Sequence, residues 1–191
     1  NKNFHIWEHN SDWNLARNLG FYKINQEKYY EAEKDFKVDF NGDGTIGYNL
    51  ESLESIESHG NVELLKDSFN GFHVKDEKGE VYEILKGGKR FKGNSIWELK
   101  AAETVRGARL VIHQNKINKN FHIWEHYDDW NFARNLGFYK TTQEKYYEAE
   151  KDFEVDFNGD GTIGFKLKSI ESKGNIELLK DYFNGFHVKD K

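Results

Sequence analysis

The chain repeats itself, and that constrains its fold more than any other feature. Residues 1–9 return unchanged as residues 118–126, and residues 39–47 return unchanged as residues 156–164, both 117 positions later. Further on the match resumes at an offset of 114. Ile56-Glu57-Ser58 corresponds to Ile170-Glu171-Ser172, and residues 60–67 to residues 174–181, so the later copy has lost three residues. Residues 77–117 occur once. A period of this length signals successive modules of one design. Residues 1–55 read as the back of one repeat, residues 56–169 as one complete repeat, and residues 170–191 as the opening of the next. A chain out of phase with its own period predicts either a longer tandem array or ends completed by other copies through strand exchange.

The most specific duplicated stretch is Asp-Phe-Asn-Gly-Asp-Gly-Thr-Ile-Gly, residues 39–47 and 156–164. Oxygen-bearing side chains at loop positions 1, 3 and 5, with glycine at 6, are how a short loop wraps a hard divalent cation. The expected Ca2+ ligands are Asp39, Asn41, Asp43 and the Thr45 carbonyl, then Asp156, Asn158, Asp160 and the Thr162 carbonyl. An EF-hand loop closes with a bidentate Glu at position 12; here that position is Leu50 or Leu167. Carboxylates present in both copies that could complete the shell are Glu33 and Glu150 before the loop, and Glu57 and Glu171 after it. Without a tethered bidentate ligand, affinity is expected to fall toward about 10⁻⁴–10⁻³ M. The plainer alternative is an Asp-Gly turn held by Asx hydrogen bonds.

Hydrophobic periodicity gives the elements. Alternation marks strands over residues 70–75, 80–85, 96–105, 109–113 and 121–125, with a turn at Gly87-Gly88 and with Trp97, Leu99 and Ala101 on one face. These predict an antiparallel meander with one wet face. Helical spacing follows at Tyr29, Ala32 and Phe36, and again at Tyr146, Ala149 and Phe153, with Asn25 or Thr142 as N-cap. A short strand is expected at Ser55-Ile56-Glu57. The fold class expected is therefore α+β: an antiparallel meander, one helix and an EF-hand-like calcium loop, repeated in tandem.

Composition narrows the function. Lys and Arg number 28 against 33 Asp and Glu, interspersed, so no basic stripe recommends nucleic acid. No apolar run reaches the ~20 residues of a membrane span. The absence of Cys excludes disulfides and thiol nucleophiles. His5 and His9, like His122 and His126, have helical zinc spacing but sit in strand-like sequence, and no H-E-x-x-H order accompanies them. No phosphate-cradling or nucleophile-elbow motif appears, so no enzyme is expected. Trp7, Trp13, Trp124 and Trp130 recur in register. They read first as core, and alternatively as a platform for stacking sugar rings.

The order aromatic-x-x-Trp, Asp-Trp-Asn, a Tyr/Glu-rich helix, D-x-N-x-D-G-x-I-G and Ile-Glu-Ser-x-Gly-Asn resembles a known repeat. Its bearers are Trp7, Asp12, Trp13, Asn14 and residues 39–47, then Trp124, Asp129, Trp130, Asn131 and residues 156–164. The chain resembles the tryptophan-rich, calcium-loop tandem repeat domain of large secreted cyanobacterial and other bacterial proteins. The resemblance implies an exported, cell-surface or matrix setting without a catalytic role. The expected function is a calcium-stabilised extracellular structural repeat of a fibre, surface layer or matrix. Its expected partners are neighbouring repeats or copies of itself in a homopolymer. The alternative is a carbohydrate-binding adhesion module that uses exposed Trp side chains on glycans.

Overall fold

The computed structural model describes residues 2–172 and 174–190, apart from the side chain of Glu51. Residues 1 and 191, the outer limits of the expected repeat boundaries, lie outside that description. Among the described residues the chain is mostly β, with fifteen strands in five sheets and two ten-residue helices. This corrects the expected α+β arrangement of meander, helix and EF-hand-like loop in tandem. The chain divides into two compact units, Asn1–Leu53 and Glu54–Lys191.

In the first unit, β1 (Phe4–His9) and β2 (Leu15–Tyr22) form a hairpin followed by α1 (Glu27–Phe36). The second unit begins with β3 (Glu54–Glu57), β4 (Glu63–Lys66), β5 (Phe72–Lys75) and β6 (Val81–Glu83), one antiparallel sheet in that order. The small hairpin β7 (Leu85–Lys86) and β8 (Lys89–Arg90) turns at Gly87-Gly88. Next come β9 (Trp97–Val105), β10 (Ala108–Asn115), β11 (Phe121–His126) and β12 (Phe132–Tyr139), a second four-stranded meander. Helix α2 (Glu144–Phe153) follows, then the sheet of β13 (Lys168–Glu171), β14 (Ile176–Lys180) and β15 (Phe186–Asp190).

The helices stay short for a local reason. Lys37 and Glu154 take left-handed φ of 55° and 56°, and the next N–H, of Val38 or Val155, turns back to the carbonyl of Glu33 or Glu150 at 3.1 Å. The N-cap is Gln26 or Gln143, not Asn25 or Thr142. Its side chain accepts from the N–H of Lys23 or Lys140 instead of capping the helix. The loop beyond each helix is irregular, so β structure accounts for most of the ordered chain.

The β9–β12 meander has no single wet face. One side joins Leu99, Ala102, Val111 and Trp124 to Val62, Leu64, Phe72 and Val74 of the β3–β6 sheet. The other joins Ala101, Ile112 and Phe121 to Tyr146, Ala149 and Phe153 of α2. A bulge opposite Ile112/His113, skipping Lys100, puts Ala101 on the face opposite Leu99. Unit 2 is thus layered sheet on sheet on helix.

Candidate functional site

The two loops adopt the same internal hydrogen bonding. Asp39 accepts from the N–H groups of Gly42 at 2.5 Å and Gly44 at 2.9 Å. Asn41 accepts from Asp43 at 2.7 Å, and Asp43 from Thr45 at 2.8 Å. In the later copy Asp156 accepts from Gly159, Asp160 and Gly161, Asn158 from Asp160, and Asp160 from Thr162. Successive Asx turns curl the backbone around these side-chain oxygens. The N–H of Gly44, with help from Gly42 and Asp43, holds the Asp39 carboxyl below the ordinary carboxylate range.

Beneath each loop lies a buried glutamate from the last turns of the helix. Glu150 Oε1 accepts from the N–H groups of Phe157 and Asn158 at 3.1 and 3.3 Å, and Oε2 from Gly164 at 3.0 Å. Glu33 does the same with Phe40, Asn41 and Gly47. Burial pushes the Glu150 carboxyl up to about 7 against those three donors, and raises Glu33 as well. Glu33 and Glu150 thus pin both ends of the loop to the helix, with both oxygens of each engaged by backbone N–H groups.

The other expected carboxylates lie elsewhere. Glu57 is buried in β3, bonded to the backbone and ring of His59. Glu171 is exposed on β13. Among the described residues no group of three or more His, Cys, Asp or Glu side chains is gathered for a metal. Each loop offers two carboxylates, one amide oxygen and one carbonyl. That is an all-oxygen, doubly negative set, the donor chemistry that a hard cation takes. Lysine stems brace the loops, a role sequence reading missed. Lys34 passes under Gly47 and Lys151 under Gly164, their amines 4.4 and 4.3 Å from the rings of Tyr48 and Phe165. A groove of about 350 Å³ beside the second loop is lined by Tyr147, Asp160, Phe165, Tyr182 and Phe183 among others.

The four repeated tryptophans divide sharply. Trp124 and Trp130 are 5% and 1% exposed, whereas Trp7 and Trp13 are 48% and 82% exposed. Both Trp13 and Trp130 hold left-handed φ, 60° and 59°, a rare conformation for so bulky a residue. The histidine pairs sit on strands, with His9 Nδ1 2.8 Å from the Trp13 carbonyl. Among the described residues no helix is long and apolar enough to cross a membrane.

The family model described as the tryptophan-rich Synechocystis species C-terminal domain matches residues 1–47 and 62–164. No curated protein and no solved structure matches the chain.

Proposed function

The chain belongs to the tryptophan-rich Synechocystis species C-terminal domain family, and from that premise we propose that it is a calcium-stabilised structural repeat of an extracellular fibre, surface layer or matrix. The observation that carries this reading is the pair of identically curled loops, each pinned by a buried glutamate. Asp39, Asn41, Asp43 and the Thr45 carbonyl would hold one ion, and Asp156, Asn158, Asp160 and the Thr162 carbonyl the other. Bound calcium would neutralise the two carboxylates of each loop. Because the unfolded chain lacks the cage, binding energy becomes folding energy. At about ten times Kd the gain per loop is about 1.4 kcal/mol. Secretion into calcium-rich surroundings and association with neighbouring repeats belong to the same proposal.

The test is calorimetric titration with calcium and melting in excess chelator. The expected results are binding in the roughly millimolar range and a lower melting temperature on chelation, with Asp156→Ala abolishing the response of the second loop. An unchanged melt and no heat of binding would reject calcium. A second reading, glycan binding, is favoured by the exposure of Trp7 and Trp13. Under it a panel of oligosaccharides quenches or shifts their fluorescence.

A further inference from the structure

The complete repeat shows how its own β11–β12 hairpin is covered, and unit 1 carries the same hairpin uncovered. In unit 2, β10 runs along β11 with Val111 opposite Trp124 and Gln114 opposite Phe121. The Lys86 amine lies 4.2 Å from the centre of the Trp124 ring, and Phe91 meets that ring edge-on at 5.2 Å. The Leu85 N–H donates to the Trp130 carbonyl at 3.1 Å. Gln114 Nε2 donates to the carbonyls of Lys119 and Phe157, each at 2.9 Å, tying the strand to the foot of the second loop. These groups lie within residues 77–117, the segment that has no duplicate, and Val62, Leu64, Phe72 and Val74 of the β3–β6 sheet complete the cluster around Trp124 and Trp130.

In unit 1, β1 has the same six residues as β11 but among the described residues pairs only with β2. Tyr29 keeps the bond to the Lys2 carbonyl that Tyr146 makes to Lys119, and the positions equivalent to Gln114 and Lys86 would fall ahead of Asn1. Trp13 retains the strained φ of Trp130 around an exposed ring. The later end shows the complementary deficit. Strands β13–β15 repeat β3–β5, and Ile176, Phe186 and Val188 are exposed where Val62, Phe72 and Val74 are buried. Those buried residues pack with Leu99 and Val111, again from the unduplicated segment.

We propose that both open faces are docking surfaces for one kind of occupant, a segment of the sequence type of residues 77–117 belonging to a neighbouring repeat. Along β1 it pairs antiparallel in the register of β10 on β11, its Val111 counterpart opposite Trp7 and its Gln114 counterpart opposite Phe4. An edge strand with an apolar face recruits a partner strand through main-chain hydrogen bonds, and side-chain fit sets the register. The inference rests on the repeat reading but not on calcium, so its test is run in excess chelator.

The isotope-labelled chain is mixed with a synthetic peptide of residues 77–117, and the indole N–H signals are followed by NMR. The Trp7 and Trp13 signals should shift while those of Trp124 and Trp130 stay, and a peptide carrying Val111→Asp and Gln114→Ala should do nothing. Because a free peptide has to fold as it docks, a second arm joins residues 77–117 covalently ahead of Asn1. There the Trp7 and Trp13 indoles should become protected from hydrogen exchange and acrylamide. Indoles as open in the joined chain as in the original would overturn the proposal. So would protection that arises on concentrating the original chain alone, with sedimentation as a dimer, since that assigns the face to a second copy. Loss of the calcium reading would leave either result standing.

Discussion

At the residue scale the duplicated loops depend on single buried groups. Removing the Glu150 carboxylate strands three N–H donors, the buried ones of Phe157 and Gly164 and the part-buried one of Asn158. Unsatisfied donors cost about 1–3 kcal/mol each, though not additively. Glu150→Ala is therefore expected to destabilise unit 2 by at least about 2 kcal/mol, read from urea melts with and without calcium. A loss seen only with calcium present would make Glu150 a ligand instead of an anchor. Gly60 offers a second test with a built-in control. Its φ is 74°, and the Glu103 carboxylate, which accepts from the Asn61 N–H at 3.0 Å, occupies the place a Cβ would take. Gly174, its duplicate, has φ 71° and open space around it. Gly174→Ala should cost about 1 kcal/mol for the left-handed backbone alone. Gly60→Ala should cost about 1–2 kcal/mol more, because a buried carboxylate has to move. Equal costs in denaturant melts would show that the Glu103 contact matters little.

At the element scale the β9–β12 sheet carries an acid sensitivity. The ring nitrogens of His113 and His126 are sealed from solvent. Burial, with His122 and Lys86 adding, lowers His113 to about 4, and burial lowers His126 to about 4 with Asp129 pulling the other way. The ordinary value is 6.5, so between about 6.5 and 4 the unfolded chain binds protons that the folded chain refuses. Stability is full above that window and declines as pH falls through it, by up to about 1.4 kcal/mol per pH unit for each ring. Urea midpoints should drop between pH 7 and 5, and a chain carrying His113→Phe and His126→Phe should show a flatter profile. Parallel profiles would remove these rings as the cause. The same sheet shows what the sequence could and could not tell. Strands β9, β10 and β11 were legible because Val, Ile, Leu and Trp mark them, and the helices because Tyr29 and Ala32, or Tyr146 and Ala149, recur at helical spacing. Strands β2 and β12 were not. Gly20 and Gly137 interrupt them, and bulges at Ile6/Trp7 and Ile123/Trp124 shift their pairing, so no strict alternation survives. Strand β4 also hid, because adjacent Leu64 and Leu65 are both buried. The curl of the loops was readable from local spacing. Their anchoring by Glu33 and Glu150 was not, since that depends on where the helix ends. Gln114 gave no signal at all, because its acceptors, Lys119 and Phe157, are fixed by tertiary contact.

At the scale of the whole molecule, two hairpins of nearly one sequence are placed in different surroundings. Strands β1 and β11 are identical, and β2 differs from β12 only in Leu15 for Phe132. Intrinsic propensity therefore cancels between them, and any difference in stability reports context. In unit 2 the hairpin is flanked by β10 and its Trp124 and Trp130 rings are buried, while in unit 1 Trp7 and Trp13 face water. Full burial of a large apolar side chain is worth about 1.5–3 kcal/mol. Trp7 is already half-buried, so the two rings together differ by little more than one full burial, an expected difference of roughly 2–4 kcal/mol, before the backbone pairing along β1 is counted. Native-state hydrogen exchange should therefore find the β1 and β2 amides opening at a free energy lower by that margin than their counterparts in β11 and β12. Calorimetry should resolve an early transition belonging to unit 1. Joining residues 77–117 ahead of Asn1 should narrow the gap, because it restores β10, Lys86 and Gln114 together, without the Val62, Leu64, Phe72 and Val74 side of the cluster. Equal protection of the two hairpins in the original chain would mean that the repeated sequence alone, and not the segment that covers it, sets the stability of the module.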